Sequence, residues 1–286
     1  EKYNKEIDLD SGRADSYYNR GLSYVKLGQY EHAIDDFDKA VELNPSDAQA
    51  YGDRGNSYSE LGQSERAIKD FDKAIQLDPD YADTYVNRGV SYGKLGQYER
   101  ELEDYNKAVQ VDPNNALAYY NRGHSYLDLG QHELAIYDFD KAIRLDPSNA
   151  YFYIARGNFY GGLGQNEREI EDYNKAIQFD PDNDLAYYNR GFSYSELGQD
   201  LRAIKDFDKA IELNPSDADT YHGRGVSFLV MGLYERAIDD FDKAIELDPI
   251  NASAYRNRGI SYKLLGRHER AHEDYSKSCS LDRQWC

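Results

Sequence analysis

Five residues near the C-terminus, His268-Glu-Arg-Ala-His272, have the spacing of a zinc site. In the pattern H-E-x-x-H, two histidines one helical turn apart bind the metal, and the glutamate acts as general base in metallopeptidases. A catalytic zinc also needs a third protein ligand and an open coordination position. Whether these residues do chemistry therefore depends on the elements that would position them.

The prolines reveal how the chain is organised. They lie 34 residues apart, at Pro45, Pro79, Pro113, Pro147, Pro181, Pro215 and Pro249. Two columns of glycine follow the same period, one beginning at Gly21 and the other at Gly28. A period of this length indicates a repeated supersecondary unit. Residues 14–286 are predicted to hold eight repeats, at 14–47, 48–81, 82–115, 116–149, 150–183, 184–217, 218–251 and 252–285, whereas residues 1–13 match only the second half of a repeat.

Each repeat is predicted to be an antiparallel pair of helices. In residues 14–47 two sets of apolar or small residues recur at helical spacing, first Tyr17, Gly21, Tyr24 and Leu27, then Ala33, Phe37, Ala40 and Leu43. Gly28 suits the left-handed residue that closes a helix, and Pro45 ends the second helix. Because one pair cannot bury its apolar faces alone, neighbouring pairs must stack into an all-α solenoid.

These repeats closely resemble the tetratricopeptide repeat family. The resemblance covers essentially the whole chain and rests on Tyr17, the Gly21–Tyr24 step, Leu27-Gly28, Ala33, Phe37, Ala40, Pro45 and their counterparts. Two columns depart from the family: tyrosine stands where tryptophan is frequent, and arginine stands where leucine is usual. The resemblance implies a right-handed α-solenoid superhelix of stacked antiparallel helix pairs, with first helices on the concave face and second helices on the convex face.

The repeat register explains the apparent zinc motif. His268–His272 aligns with SERAI at 64–68 and with YERAI at 234–238, so its three central residues are ordinary repeat residues. His272 replaces an apolar residue in the last repeat, where no further repeat needs an apolar surface to pack on. We therefore predict no catalytic residue, no metal site, no cofactor and no enzymatic activity.

Two charged columns are unbroken in all eight repeats. They are Arg20, Arg54, Arg88, Arg122, Arg156, Arg190, Arg224 and Arg258, and Asp36, Asp70, Asp104, Asp138, Asp172, Asp206, Asp240 and Asp274. The arginines alone would suit an anionic ligand. Because the acidic column is equally regular and a half-buried guanidinium needs a partner, we predict structural salt bridges within each repeat or between adjacent repeats.

Two repeats depart from the others at a position where the two helices of a pair cross. Glu101 and Glu169 replace the small residue found at Ala33, and one turn later Tyr105 and Tyr173 replace phenylalanine. A carboxylate at a close helix crossing is costly unless it is hydrogen-bonded. We therefore predict that each tyrosine compensates structurally for its glutamate.

The variable columns of the first helices are left to provide specificity. An asparagine amide both donates and accepts, so a column of asparagines can pair with the main chain of an extended peptide, or can brace neighbouring helices instead. A contiguous set of exposed apolar residues usually marks an interaction site. The candidate peptide-binding residues are Asn19, Asn87, Asn121, Asn189, Asn257, Tyr120, Leu127, Tyr151, Ile154, Tyr188, Phe192, Val226 and Leu229.

The charge balance limits the partners. The 286 residues include 34 basic and 53 acidic side chains, for a net charge of −19. This charge argues against nucleic acid and against an anionic membrane surface. We expect a neutral to basic peptide or protein ligand, held by a scaffold that is monomeric or weakly self-associates end to end. The alternatives are a self-assembly module, or the targeting domain of a larger protein whose other part is absent here.

Overall fold

The computed structural model describes residues 2–286, apart from the side chain of Trp285. Within the described residues every regular element is a helix. Glu1, the first residue of the predicted half repeat, lies outside the described residues. The chain divides into two compact halves, residues 1–147 and 148–286, each of which is described by itself.

The N-terminal half contains nine helices among its described residues. They are α1 (Lys2–Leu9), α2 (Ala14–Lys26), α3 (Tyr30–Leu43), α4 (Ala48–Glu60), α5 (Ser64–Leu77), α6 (Ala82–Lys94), α7 (Tyr98–Val111), α8 (Ala116–Asp128) and α9 (His132–Leu145). The helices alternate between 13 and 14 residues from α2 onward. Each 13-residue helix and the 14-residue helix that follows it lie within one predicted 34-residue repeat.

The C-terminal half continues the alternation. Its helices are α10 (Ala150–Gly162), α11 (Asn166–Phe179), α12 (Asp184–Glu196), α13 (Asp200–Leu213), α14 (Ala218–Val230), α15 (Tyr234–Leu247), α16 (Ala252–Leu264) and α17 (His268–Leu281), followed by a 3-10 turn, Arg283–Trp285. Helix α17 packs against that turn, and a disulfide joins Cys279 to Cys286 across it.

The packing order within each half is that of a solenoid. Every first helix packs on its own second helix, every second helix packs on the next first helix, and successive first helices also touch. Helix α1 packs on α2, as the second helix of a preceding pair would. The predicted fold class, an α-solenoid of stacked antiparallel helix pairs, is confirmed.

Local signals place the helix ends. The glycine after each first helix adopts positive φ, 69° at Gly28, a conformation that a residue with a Cβ rarely adopts. Before several first helices an Asp or Asn side chain accepts an N–H of the first turn, as Asp47 does from Ala50 at 3.1 Å. The sequence therefore specifies a tight turn within each pair and, before several pairs, a side-chain cap at the start of the first helix.

The core of each repeat is an aromatic ring packed on a glycine. Phe37 is fully buried, and a Cβ built on Gly21 would lie 2.7 Å from its Cε1 atom. The same approach recurs between Gly55 and Phe71. The two helices of a pair can therefore cross this closely only because the first helix carries no side chain at that point.

Candidate functional site

Every arginine of the unbroken column makes a two-point ion pair with the aspartate of its own second helix. Nε and Nη2 each donate to one carboxylate oxygen, as between Arg54 and Asp70 at 2.7 and 2.6 Å. The eight pairs are Arg20–Asp36, Arg54–Asp70, Arg88–Asp104, Arg122–Asp138, Arg156–Asp172, Arg190–Asp206, Arg224–Asp240 and Arg258–Asp274. The aspartates are buried and the arginines half-buried.

In Arg54 and Arg88 the third guanidinium nitrogen reaches the preceding second helix. Arg54 Nη1 donates to Asp38 and Arg88 Nη1 donates to Asp72, both at 2.6 Å. The guanidinium of Arg54 also lies over the ring of Tyr51, 5.3 Å from its centroid. Each such arginine therefore connects two adjacent repeats, and each of its three nitrogens already donates to a protein carboxylate.

The remaining candidates lie on what we call the first-helix face. It is the surface formed in the N-terminal half by α2, α4, α6 and α8, and in the C-terminal half by α10, α12, α14 and α16. Two of its five candidate asparagines bond within their own helix: Asn19 Nδ2 donates to the Asp15 carbonyl at 2.7 Å, and Asn121 Nδ2 to the Leu117 carbonyl at 3.0 Å.

The other three asparagines contact the neighbouring first helix. Asn87 Nδ2 donates to Asn56 Oδ1 at 2.9 Å, and Asn189 Nδ2 donates to Asn158 Oδ1 at 3.2 Å. Asn257 Nδ2 lies 3.0 Å from His222 Nε2. These are bracing contacts between helices, so an asparagine that bound peptide main chain would have to exchange or share its present partner.

The apolar candidates differ in how far they emerge from the face. Tyr151 is exposed and 48% of Phe192 is exposed, whereas Tyr120, Leu127 and Tyr188 are half-buried. Val226 and Leu229 are half-buried because they pack against the core cluster around Phe228, Ala237 and Phe241.

The placement of Ile154 on the exposed part of the face is wrong, because only 4% of this residue is exposed. Its equivalent in the N-terminal half, Val86, is likewise buried, in a cluster with Tyr85 and Tyr105. A tyrosine in this column is long enough to reach out of the packing, and a short β-branched side chain is not. The column is therefore a packing position whenever it holds valine or isoleucine.

Three of the predicted residues come together in the C-terminal half. A pocket of about 400 Å³ is lined by Tyr188, Asn189 and Phe192 of α12, together with Asn158, Glu169, Tyr173 and Glu196. We call it the α12 pocket. Burial, and after it the negative charge of Asp219, raises the pKa of Tyr188 above its usual value, so this phenol stays neutral. The pocket therefore combines aromatic side chains with carboxylates.

The carboxylate of Glu169 lies directly against the backbone of α10. A Cβ built on Gly161 would be 2.6 Å from Glu169 Oε1, so only glycine leaves space for this side chain. The Tyr173 hydroxyl donates toward Asn158 Oδ1 at 2.6 Å and Glu169 Oε1 at 3.3 Å. Burial and the charge of Glu169 raise the pKa of Tyr173, which keeps the hydroxyl a donor.

The equivalent glutamate of the N-terminal half has an additional partner. Glu101 lies against Gly93, where a Cβ would be 2.9 Å from Oε2, and Ser125 donates to Glu101 Oε1 at 3.1 Å. Burial raises the pKa of Glu101 above its usual value, while the hydrogen bonds from Ser125 and Tyr105 oppose that shift. Both glutamates are thus hydrogen-bonded at the crossing.

One further column of the sequence carries a signal for this arrangement of glutamate and glycine. Gly93 and Gly161 share one column, and the other six repeats carry a larger residue there. The glycine occurs in the same two repeats as Glu101 and Glu169. A small residue that becomes large in the same repeats in which a larger residue becomes glycine indicates that the two positions are in contact. Comparison of the eight repeats therefore predicts the contact between each glutamate and its glycine.

The N-terminal half has a separate polar pocket on its first-helix face. The Tyr18 hydroxyl donates to Asp53 Oδ2 at 2.8 Å, and a pocket of about 350 Å³ beside them also contacts Asn87 and Leu117. Burial raises the pKa of the Asp53 carboxyl, opposed by the hydrogen bond from Tyr18. Asn87 is the predicted peptide-binding residue that lines this pocket.

The two histidines of the apparent zinc motif lie on the last long helix of the C-terminal half. His268 and His272 are both exposed on α17, and no group of three metal-ligating side chains lies close enough to hold an ion within residues 2–286. Across the same residues, all helices are too short or too polar to span a bilayer.

Sequence models of known families match nearly the whole chain. One, described as tetratricopeptide repeat, matches residues 14–47, 116–149, 185–217 and 218–251. A second, described as TPR repeat, matches 55–96, 91–130 and 163–198, and a third, again tetratricopeptide repeat, matches 37–69, 139–171 and 241–273. The chain belongs to the tetratricopeptide repeat family. No curated protein matches it in sequence.

Solved structures support the same family fold. The Cut9-Hcn1 hetero-tetramer of APC/C is 18% identical, with a TM-score of 0.67 over 99% of this chain and 56% of that chain. A tetratricopeptide repeat protein from Parabacteroides merdae is 22% identical, with a TM-score of 0.63 over 90% of this chain and 98% of the other. At these identities the likeness concerns the fold alone.

A third structure is more similar in sequence. YrrB, described as a TPR protein with an unusual peptide-binding site, is 27% identical, with a TM-score of 0.52 over 64% of this chain and 95% of its own. Tetratricopeptide repeats are typically non-catalytic, and this chain is assigned to the class of protein-interaction scaffolds.

Proposed function

We propose that this tetratricopeptide repeat protein binds an extended peptide segment of a partner protein along its first-helix face. The α12 pocket is the observation that carries the proposal. It places the exposed ring of Phe192 beside the half-buried ring of Tyr188 and the amide of Asn189. Aromatic side chains next to a hydrogen-bonding amide supply both an anchor and a contact to peptide main chain.

Two further points support a peptide on this face. The guanidinium groups of the unbroken arginine column are already paired, so the variable first-helix residues are left to discriminate between partners. YrrB, which resembles part of this chain, is itself described as having a peptide-binding site. The acidic net charge of −19 favours a neutral or basic segment.

Phe192→Ala is expected to weaken peptide binding by about 1–2 kcal/mol, the loss typical when a partly buried aromatic anchor is truncated. The probe is a peptide selected from a displayed random-sequence library on the full chain, and its Kd is measured by calorimetry. Phe192 is 48% exposed, so its removal leaves the core intact.

The matched control is Leu201→Ala on second helix α13. Leu201 is 67% exposed and lies outside the α12 pocket, so affinity is expected to stay unchanged. Equal affinities of the wild-type chain and the Phe192→Ala variant would contradict binding at this pocket. Failure of the full chain to select any peptide would contradict the proposed function as a whole.

A further inference from the structure

We propose that the α12 pocket receives a lysine or arginine side chain of the bound peptide. This inference rests on the proposed function and adds the chemistry of one anchor residue. A basic side chain has two parts, an apolar stem and a cationic head, and the pocket offers a matching surface for each.

The stem is matched by aromatic rings. Phe192 and Tyr188 lie one helical turn apart on α12, and both line the pocket. The faces of such rings attract a cation within about 6 Å and pack against methylene groups. The raised pKa of Tyr188 keeps its phenol neutral, so the ring presents an uncharged surface.

The head is matched by two carboxylates that lack cationic partners. Glu169 and Glu196 both line the pocket, and neither forms a salt bridge with a lysine or arginine of the described residues. Within the same residues, Tyr173 is the single side chain that donates to Glu169. A carboxylate has about four acceptor positions, so Glu169 retains capacity for the donors of an ammonium or guanidinium group.

The N-terminal half shows what a purely structural version of this arrangement looks like. There Ser125 donates to Glu101. The equivalent serine in the C-terminal half, Ser193, donates instead to the backbone carbonyl of Asn189 at 2.9 Å, which leaves Glu169 without that partner. The same glutamate, tyrosine and glycine therefore occur twice, and in the second copy the glutamate and the tyrosine line the α12 pocket.

The charge of the pocket also selects against other peptide residues. An aspartate, glutamate or phosphorylated side chain would be repelled by Glu169 and Glu196. A purely apolar side chain would displace water from the carboxylates without replacing the hydrogen bonds that they lose. A basic side chain fits both the rings and the carboxylates.

The test uses peptides selected on the full chain from a displayed random-sequence library. We expect the selected sequences to share one lysine or arginine. Glu169→Gln keeps the shape of the side chain and its bond from Tyr173 but removes the charge. It is expected to weaken binding of the selected peptide about tenfold, the scale of one charge-assisted hydrogen bond.

The peptide is changed in parallel. The neutral peptide carries citrulline in place of the shared arginine, or norleucine in place of the shared lysine. Its affinity for the wild-type chain is expected to be about tenfold lower than that of the basic peptide. The neutral peptide is expected to bind the Glu169→Gln variant no more weakly than it binds the wild-type chain. Glu101→Gln is the matched control in the N-terminal half, and it is expected to leave affinity unchanged.

Each outcome decides between the two proposals. Selected peptides without a shared basic residue, or equal affinity of the wild-type chain and Glu169→Gln for the basic peptide, would overturn the basic-anchor inference and leave peptide binding standing. If the full chain selects no peptide at all, the proposed function fails and the inference fails with it.

Discussion

Asp104→Ala will lower the free energy of unfolding by about 2–3 kcal/mol, whereas Asp72→Ala will cost about 0.5 kcal/mol or less. Both aspartates bond to the same guanidinium, that of Arg88, at 2.6 Å. They differ in burial, since the side chain of Asp104 is 6% exposed and that of Asp72 is 53% exposed. The pair of variants therefore separates the effect of burial from the effect of the contact.

The physical reason is desolvation. When Asp104 is removed, Arg88 keeps its place between two repeats but loses the carboxylate that neutralises it away from water. When Asp72 is removed, water can replace the lost oxygen and the buried pair remains. We place the first effect below the range for a fully buried ion pair because the side chain of Arg88 is 18% exposed and retains Asp72.

Urea unfolding of the full chain, followed by circular dichroism, gives the overall change. Because a solenoid can lose stability locally, hydrogen exchange of α6 and α7 should show where the change acts. Exchange in these two helices should rise in Asp104→Ala and stay near wild type in Asp72→Ala. Equal destabilisation by the two variants would show that these ion pairs act as surface contacts and not as a buried connection.

Gly55→Ala will destabilise the chain by about 1–3 kcal/mol, and Gly52→Ala, in the same helix, will stabilise it by about 0.5–1 kcal/mol. A Cβ on Gly55 would lie 2.7 Å from Cε1 of the Phe71 ring, which is fully buried, so the ring or the helix must shift to accept it. A Cβ on Gly52 would meet nothing within 4 Å. Helix propensity favours alanine equally at both positions, so the difference isolates the helix crossing.

Thermal and urea unfolding of the two variants provide the measurement. Gly55→Ala combined with Phe71→Leu tests the cause, since a smaller residue opposite the added methyl should recover part of the loss relative to Phe71→Leu alone. A stabilising effect of Gly55→Ala would mean that the helix pair can separate without cost. It would then refute the close crossing as the reason for glycine in this column.

Much of the architecture could be predicted because the same structural requirements recur in each of the eight repeats. A helix pair must end at a left-handed residue, bury one aromatic ring and neutralise one half-buried arginine. Each requirement therefore appears as a column, such as those of Gly28, Phe37, Arg20 and Asp36. Periodic constraints of this kind are local or span one pair, so residue type and spacing express them directly.

The candidate binding site was predicted less accurately than the fold. Ile154 was predicted to be exposed because its column also holds Tyr120 and Tyr188, yet its shorter side chain stays in the packing. Tyr188 and Phe192 were predicted as anchor residues of a long face and Asn189 as a contact to peptide main chain, and the structure gathers all three around one pocket. The size of a side chain relative to its neighbours decided these outcomes, and a column pattern does not contain that information.

The sequence by itself determined the repeat, the helix pairs, the family and the residues of the buried ion pairs, because each depends on contacts that recur at a constant spacing. The tertiary structure alone decided which amide braces which helix and which glutamate keeps an open carboxylate. Glu101 and Glu169 lie in similar local sequences, ERELEDYN and EREIEDYN, but Ser125 donates to the first, whereas Ser193 donates to a backbone carbonyl of its own helix. Ser125 bonds to the preceding repeat, whereas Ser193 bonds within its own helix, and the column pattern does not show which of these two acceptors a serine takes.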